Sequence, residues 1–110
     1  MKRISHMEAL KIASQYAKKI GLPQQTISGG DPLSQHWYDG PCRNYPRNGA
    51  ELHVWHIRGD GTDISLFKYV NNVDKGFSVC LRHGVPVEIK AKDRTRGSAE
   101  LDDFLQMLYG

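Results

Sequence analysis

Four short strand-like runs follow one another between residues 50 and 92, and only a few residues connect each run to the next. The runs are rich in β-branched and aromatic residues and cover 51–58, 63–70, 77–82 and 85–92. Parallel neighbours in a sheet need a crossover of a dozen or more residues, whereas connections such as 59–62 and 83–84 have room only for hairpin turns. The sequence therefore predicts an antiparallel meander of four strands, and a fifth strand is expected over 35–38.

An amphipathic helix is predicted over 5–20, ahead of the strands. Ser5 and Glu8 have the spacing of a capping box. The apolar residues that follow share one broad arc of a helix, namely Ala9, Leu10, Ile12, Ala13, Tyr16, Ala17 and Ile20. Gly21 stands where a left-handed C-terminal cap belongs, and Pro23 prevents the helix from continuing.

A second, shorter helix is predicted over 98–108, with Ser98 as its N-cap and with Leu101, Phe104 and Leu108 at helical spacing. A chain of 110 residues has the length of one domain. The predicted fold is a single α+β domain. Its N-terminal helix packs on a four- to five-stranded antiparallel meander, and the short helix closes the chain.

The segment 21–49 is rich in glycine and proline and is expected to be irregular. Long irregular connections in compact domains are usually binding loops or lids, and this one carries aromatic residues that a solvated linker lacks. Its candidate partner-binding residues are Trp37, Tyr38, Arg43, Tyr45 and Arg47.

The last strand-like run alternates in polarity. Its apolar side chains share one face and its charged side chains share the other, at Val85, Val87 and Ile89 and at Glu88, Lys90 and Lys92 respectively. This pattern predicts a half-buried strand with a polar outer face.

The middle strands are apolar on both sides, because Trp55, Phe67 and Tyr69 alternate with other apolar residues. Two interpretations follow. In the first, which is how domains usually solve this problem, the first helix covers one face of the sheet and the second helix or the segment 21–49 covers the other. In the second, the three aromatic residues stay partly exposed and form a surface for a partner protein or for a second copy of the chain.

The composition is that of an ordinary globular protein, with 39% hydrophobic and 25% charged residues and a net charge of +3. No apolar run approaches the roughly 20 residues that span a bilayer, so no membrane partner is expected. The N-terminal residues lack the apolar stretch of a secretory signal, so a cytoplasmic location is expected. In that compartment Cys42 and Cys80 are expected to be reduced thiols.

No group of residues predicts a metal, a cofactor or a catalytic centre, since C-x-x-C and H-E-x-x-H motifs are both missing from the sequence. His53 and His56 are three residues apart, which on a strand points them to opposite faces. Cys80 is expected to be a small core residue. The alternative is a small enzyme that depends on Cys42 or a loop histidine, because the charge of Arg43 would lower the pKa of the adjacent thiol.

A nucleic-acid-binding domain is a further alternative. Basic residues alternate along the end of the last run, at Lys90, Lys92, Arg94 and Arg96. Arg43 and Arg47, interleaved with Tyr45, could add phosphate contacts and a stacking ring. Glu88 and Asp93 interrupt the basic strip, however, and no recognition motif is present.

Because the sequence shows no catalytic constellation, the favoured function is a small non-catalytic protein-binding module. An inhibitor or immunity-type protein that neutralises a partner protein is one concrete form. The expected binding residues are the loop candidates above together with Trp55, Phe67 and Tyr69. Their aromatic rings would be desolvated anchors, with arginine at the rim.

Overall fold

The computed structural model describes residues 2–25, 33–39, 45–93 and 99–110. Its elements, in chain order, are α1 (His6–Lys19), β1 (Gln24–Gln25), β2 (Gln35–Asp39), β3 (Gly49–Ile57), β4 (Gly61–Val70), β5 (Val73–Asp74), β6 (Phe77–Arg82), β7 (Val85–Ala91) and α2 (Ala99–Tyr109). The strands form one antiparallel sheet in the order β1-β2-β3-β4-β6-β7, and the short β5 pairs with β4.

The predicted α+β class and the antiparallel meander are confirmed. The five longer strands are those expected from the sequence, with β2 at the site of the run 35–38, while β1 and β5 are two-residue additions. The segment 21–49 is therefore not wholly irregular, because it supplies β1 and β2 to the sheet. Ser98, the expected N-cap of α2, lies outside the described residues.

The ends of α1 form as the sequence predicts. The Ser5 hydroxyl accepts a hydrogen bond of 3.1 Å from the backbone N–H of Glu8. At the other end, Gly21 has φ +78°, and its N–H donates to the carbonyl oxygen of Lys18 at 3.2 Å. The N–H of Leu22 donates to the carbonyl oxygen of Ala17 at 2.8 Å. This pair of bonds is a Schellman motif, which requires the left-handed backbone that glycine adopts without strain.

Two of the connections are tight two-residue hairpins. Asn71 and Asn72 have φ of 47° and 71°, and His83 and Gly84 have φ of 53° and 77°. Two successive positive φ values define the type I′ turn, whose twist matches that of paired strands. These turns fix the strands on either side as antiparallel neighbours.

Both helices pack on the same face of the sheet. Seven of the residues that β3, β4 and β6 place on this face are fully buried, namely Leu52, Val54, Ile64, Leu66, Phe77, Val79 and Leu81. The Phe77 ring lies 5.9 Å from that of Tyr16 on α1 and 5.1 Å from that of Phe104 on α2. The shortest principal extent of the chain is 22 Å, which fits one sheet and one layer of helices about 10 Å thick. The expectation that α2 covers the opposite face is therefore wrong.

The edge strand β7 departs from its predicted half-burial. Val87 is 62% exposed and Ile89 is 45% exposed. The register shifts beside Cys80 and Leu81, so that Val87 is an extra, unpaired residue of a β-bulge. As a result Val85 and Ile89 do not share a face, because the former pairs with Arg82 and the latter with Val79.

No helix within the described residues is long and apolar enough to cross a membrane.

Candidate functional site

Residues on a strand alternate between the two faces of a sheet. The face opposite the helices carries most of the aromatic, histidine and charged side chains of the strands. We call this surface the open face. The cross-strand pairs place on it His36, Tyr38, Glu51, His53, Trp55, Asp63, Phe67, Tyr69, Cys80, Arg82, Glu88 and Lys90. Neither described helix packs on this side of the sheet, so the open face is the candidate functional site.

Aromatic rings stack across the middle of the open face. The rings of His36 and His53, which lie directly opposite each other on β2 and β3, have centroids 4.0 Å apart. The His53 ring also stacks on Trp55 at 5.6 Å and meets the edge of Phe67 at 5.7 Å. Trp55 remains 44% exposed, which is unusual for the largest apolar side chain. The cluster therefore presents preordered aromatic surface to the solvent.

Two cationic side chains lie over aromatic rings near the C-terminal end of β4. The Arg47 guanidinium lies 5.0 Å from the ring centroid of Tyr45 and 5.5 Å from that of Tyr69. The Lys92 ammonium lies 5.4 Å from the ring centroid of Phe67. Cation–π contacts of this length are attractive and hold the charged group over the ring. The loop candidates Tyr45 and Arg47 are thus brought together with the sheet candidate Tyr69.

The backbone next to Arg47 is held in place by the turn that follows β4. The N–H of Arg47 donates to the side-chain oxygen of Asn72 at 2.6 Å, and the N–H of Asn72 donates back to the carbonyl oxygen of Arg47 at 3.0 Å. The Asn48 side-chain oxygen accepts from the N–H of Asn71 at 3.1 Å. These bonds fix the position of Arg47 relative to β4.

Carboxylates also lie on the open face, so that its charge is mixed. Asp63 accepts a 2.7 Å hydrogen bond from Arg82, and a Glu51 oxygen lies 3.4 Å from a ring nitrogen of His53. Glu88 is exposed on the edge strand opposite Cys80. The basic residues that the structure describes therefore do not form a continuous positive strip across the sheet.

Several candidate residues lie elsewhere. Trp37 is only 4% exposed, because it faces the helices from β2 in register with Leu52, and it is removed from the partner-binding set. Its neighbour Tyr38 has the opposite orientation and is half-buried on the open face. Arg43 lies outside the described residues.

The basic strip is described only in part. Lys90 lies on the open face and Lys92 follows the end of β7, at Ala91. Arg94 and Arg96 lie outside the described residues.

Cysteine chemistry gains no support from the described residues. Cys80 is a free thiol on the open face, half-buried rather than in the core as expected. Burial, followed by the hydrogen bond and charge of Asp63, raises its pKa, which is the opposite of what an activated nucleophile needs. Cys42 lies outside the described residues, so its predicted role stays a prediction.

One group of ionisable side chains was missed by the sequence reasoning. His36, Glu51 and His53 each offer one potential ligand atom, and these atoms all lie within 4.8 Å of one another. Burial, followed by repulsion from His53, lowers the pKa of His36. The spacing of Glu51 and His53 predicts that they share one face of a strand. The position of His36 beside them depends on the cross-strand register, which the spacing does not give.

Two grooves at the helix layer are small. One of about 250 Å³ is lined in part by Met7 and Trp37, and another of about 220 Å³ is lined in part by Leu22 and Lys68. Sites for small molecules usually enclose about 300–1,000 Å³, so these grooves are weaker candidates than the open face. Comparisons with known protein families, curated proteins and solved structures find no significant match, so function has to be argued from this geometry.

Proposed function

We propose that this chain is a small, non-catalytic protein-binding module and that the open face is its docking surface. The observation that carries the proposal is that both described helices pack on one face while Trp55 stays 44% exposed on the other. Tryptophan, tyrosine and arginine are the residues most enriched among the energetic anchors of protein interfaces. The open face combines all three types in Trp55, Tyr69 and the adjacent Arg47.

The geometry fits the usual anatomy of an interface. The stacked rings of His36, His53 and Trp55 form a central aromatic area. Charged groups, including the Asp63–Arg82 pair, lie around it. Because the rings already pack on one another and the backbone is a sheet, little ordering would be needed on binding. Such a rigid surface would suit an inhibitor or immunity-type protein that neutralises its partner.

The charge distribution favours a protein partner over a nucleic acid. Glu51, Asp63 and Glu88 place three carboxylates on the open face, and these would repel a phosphate backbone that crossed it. Mixed charges around aromatic anchors suit a polar protein surface, where each sign can find its complement.

The second candidate function is binding of single-stranded nucleic acid at one corner of the sheet. It is favoured by one observation, the Lys92 ammonium 5.4 Å from the ring centroid of Phe67, with Lys90 nearby in sequence. An aromatic ring flanked by lysines can stack a base and contact its phosphate. In this case, binding of a fluorescent single-stranded oligonucleotide, measured by anisotropy, should weaken with salt and with Lys92→Gln. The control variant is Lys11→Gln, which changes an exposed lysine on α1 and should bind like the wild type.

The test of the main proposal is a capture experiment with the immobilised chain in lysate of the source cell, after nuclease treatment and at high salt. Trp55→Ala is compared with Met7→Ala, which removes an exposed apolar side chain from the helix side of the molecule. We expect a stoichiometric protein that is retained by wild type and Met7→Ala and lost from Trp55→Ala.

Two results would contradict the proposal. One is retention of the same protein by Trp55→Ala, and the other is recovery of nucleic acid alone. Sedimentation of the purified chain should be run in parallel. A dimer that dissociates with Trp55→Ala would identify a second copy of the chain, rather than a different protein, as the occupant.

A further inference from the structure

The pairing of β2 with β3 brings three metal-ligating side chains together on the open face. His36 lies directly opposite His53, and Glu51 precedes His53 by two residues on the same strand, so all three project to one side. Their potential ligand atoms lie within 4.8 Å of one another, and the separation between His53 Nε2 and Glu51 Oε2 is 3.4 Å.

One ring nitrogen of His36 lacks a hydrogen-bond partner. The Nε2 nitrogen of His36 is buried and makes no hydrogen bond, although buried polar atoms in folded proteins nearly always have one. His36 is one of the three residues of the cluster, and a cation bound by this nitrogen would satisfy it. The unpaired nitrogen and the proximity of the three potential ligand atoms are two separate observations on the same group of residues.

We propose that His36, Glu51 and His53 form a binding site for a divalent transition-metal ion, with Zn²⁺ as the reference ion. Two imidazole nitrogens and one carboxylate oxygen suit Zn²⁺ and its first-row neighbours, whereas Mg²⁺ and Ca²⁺ prefer oxygen ligands alone. Three protein ligands leave at least one coordination position for water or for a group on another molecule. The site does not depend on the proposed protein-binding function.

The fit requires rotation of the two histidine rings, which stack on each other with centroids 4.0 Å apart, so that both in-plane nitrogens face one ion. Ligands at about 2.0–2.1 Å from a tetrahedral ion are separated from one another by roughly 3.4 Å. The pair Glu51–His53 already has this spacing at 3.4 Å, and the widest separation in the cluster, at most 4.8 Å, needs to close by rotation of side chains. The rings of Trp55 and Phe67 contact the His53 ring and restrict its orientation, as groups around a metal ligand commonly do.

The test is calorimetric titration of the purified, reduced chain with Zn²⁺, combined with NMR detection of the histidine ring nitrogens. We expect one equivalent to bind, with large shifts at His36 and His53 and none at His6 or His56. His36→Gln and His53→Gln should each weaken binding at least tenfold, and Glu51→Gln should weaken it by a smaller factor. His83→Asn is the matched control, because His83 is exposed on a turn with positive φ that asparagine tolerates, and it should bind like wild type.

Other results would overturn the proposal. They are failure of the wild type to bind Zn²⁺, shifts centred on His83, or loss of binding in Cys42→Ser with retention in His36→Gln. If a histidine variant fails to fold, the ring-nitrogen shifts of the wild-type chain decide the matter, since they identify the ligands without any substitution.

Discussion

Replacing Phe104 by alanine would remove the ring through which α2 packs on the sheet. Phe104 is fully buried and lies 5.1 Å from the Phe77 ring and 5.3 Å from the Tyr16 ring. Phe→Ala changes in cores cost about 3–5 kcal/mol, because the apolar transfer energy is lost and a cavity remains. A domain of this length has a free energy of unfolding of roughly 5–15 kcal/mol, so the variant should lose a large part of its stability.

The matched control is Phe67→Ala, the same chemical change on the opposite face of the sheet. Phe67 is half-buried, so about half of the transfer energy of a fully buried phenylalanine is at stake, or roughly 1–1.5 kcal/mol, and no closed cavity forms. Loss of the contact with Lys92 at 5.4 Å adds about 0.5 kcal/mol. We therefore expect a total cost of about 1–2 kcal/mol.

Urea denaturation followed by far-UV circular dichroism measures both costs in the same chain. The expected result is that Phe104→Ala is the more destabilising by about 2 kcal/mol. Equal costs would refute the reasoning, since they would mean that the open face is as well covered as the helix-packed face.

The remaining predictions concern the helix contact and a close approach of two strands. Burial alone would raise the pKa of Glu100, but the 3.0 Å hydrogen bond from Lys68 and neighbouring positive charge lower it. Glu100→Gln should therefore cost about 0.5 kcal/mol at pH 7, and this cost should disappear as the pH falls below about 4, measured by urea denaturation at each pH. Gly76→Ala should lower stability by about 1–3 kcal/mol in thermal denaturation, because a Cβ there would overlap the carbonyl oxygen of Leu66.

Each of these predictions has a result that contradicts it. A Glu100→Gln deficit that persists unchanged at pH 3 would show that the carboxylate charge is not its cause. For Gly76, the comparison is Gly21→Ala, where a Cβ meets nothing within 4 Å and only the positive φ costs energy. A Gly76→Ala variant as stable as the wild type would show that the backbone at residue 76 does not lie against the carbonyl oxygen of Leu66.

Local rules were sufficient to predict most of the fold. The cap at Ser5, the left-handed Gly21 and the short turn at His83 and Gly84 act over a few residues, so the sequence reveals them directly. The side of the sheet on which α2 packs was not predictable in this way. It depends on contacts between residues far apart in sequence, such as Phe104 with Phe77, and the amphipathic pattern of α2 is the same for either face.

Cross-strand register explains the residues that sequence reasoning misplaced. Whether Trp37 or Tyr38 faces the helices follows from the pairing of β2 with β3, which a long connection does not fix. The pairing of His36 with His53 has the same origin, so the cluster with Glu51 could not be found from spacing alone. In β7, the bulge at Val87 interrupts the alternation on which its predicted half-burial depended.

The central claim is that the open face is accessible while the opposite face is covered by the helices, and the two tryptophans report on one face each. Acrylamide quenching of fluorescence should be compared between Trp37→Phe, which retains Trp55, and Trp55→Phe, which retains Trp37. Trp55 is 44% exposed and Trp37 is 4% exposed. The account predicts that Trp55 is quenched severalfold more strongly and emits at longer wavelength. Equal protection of the two tryptophans would contradict it, because the proposed docking surface would then be covered.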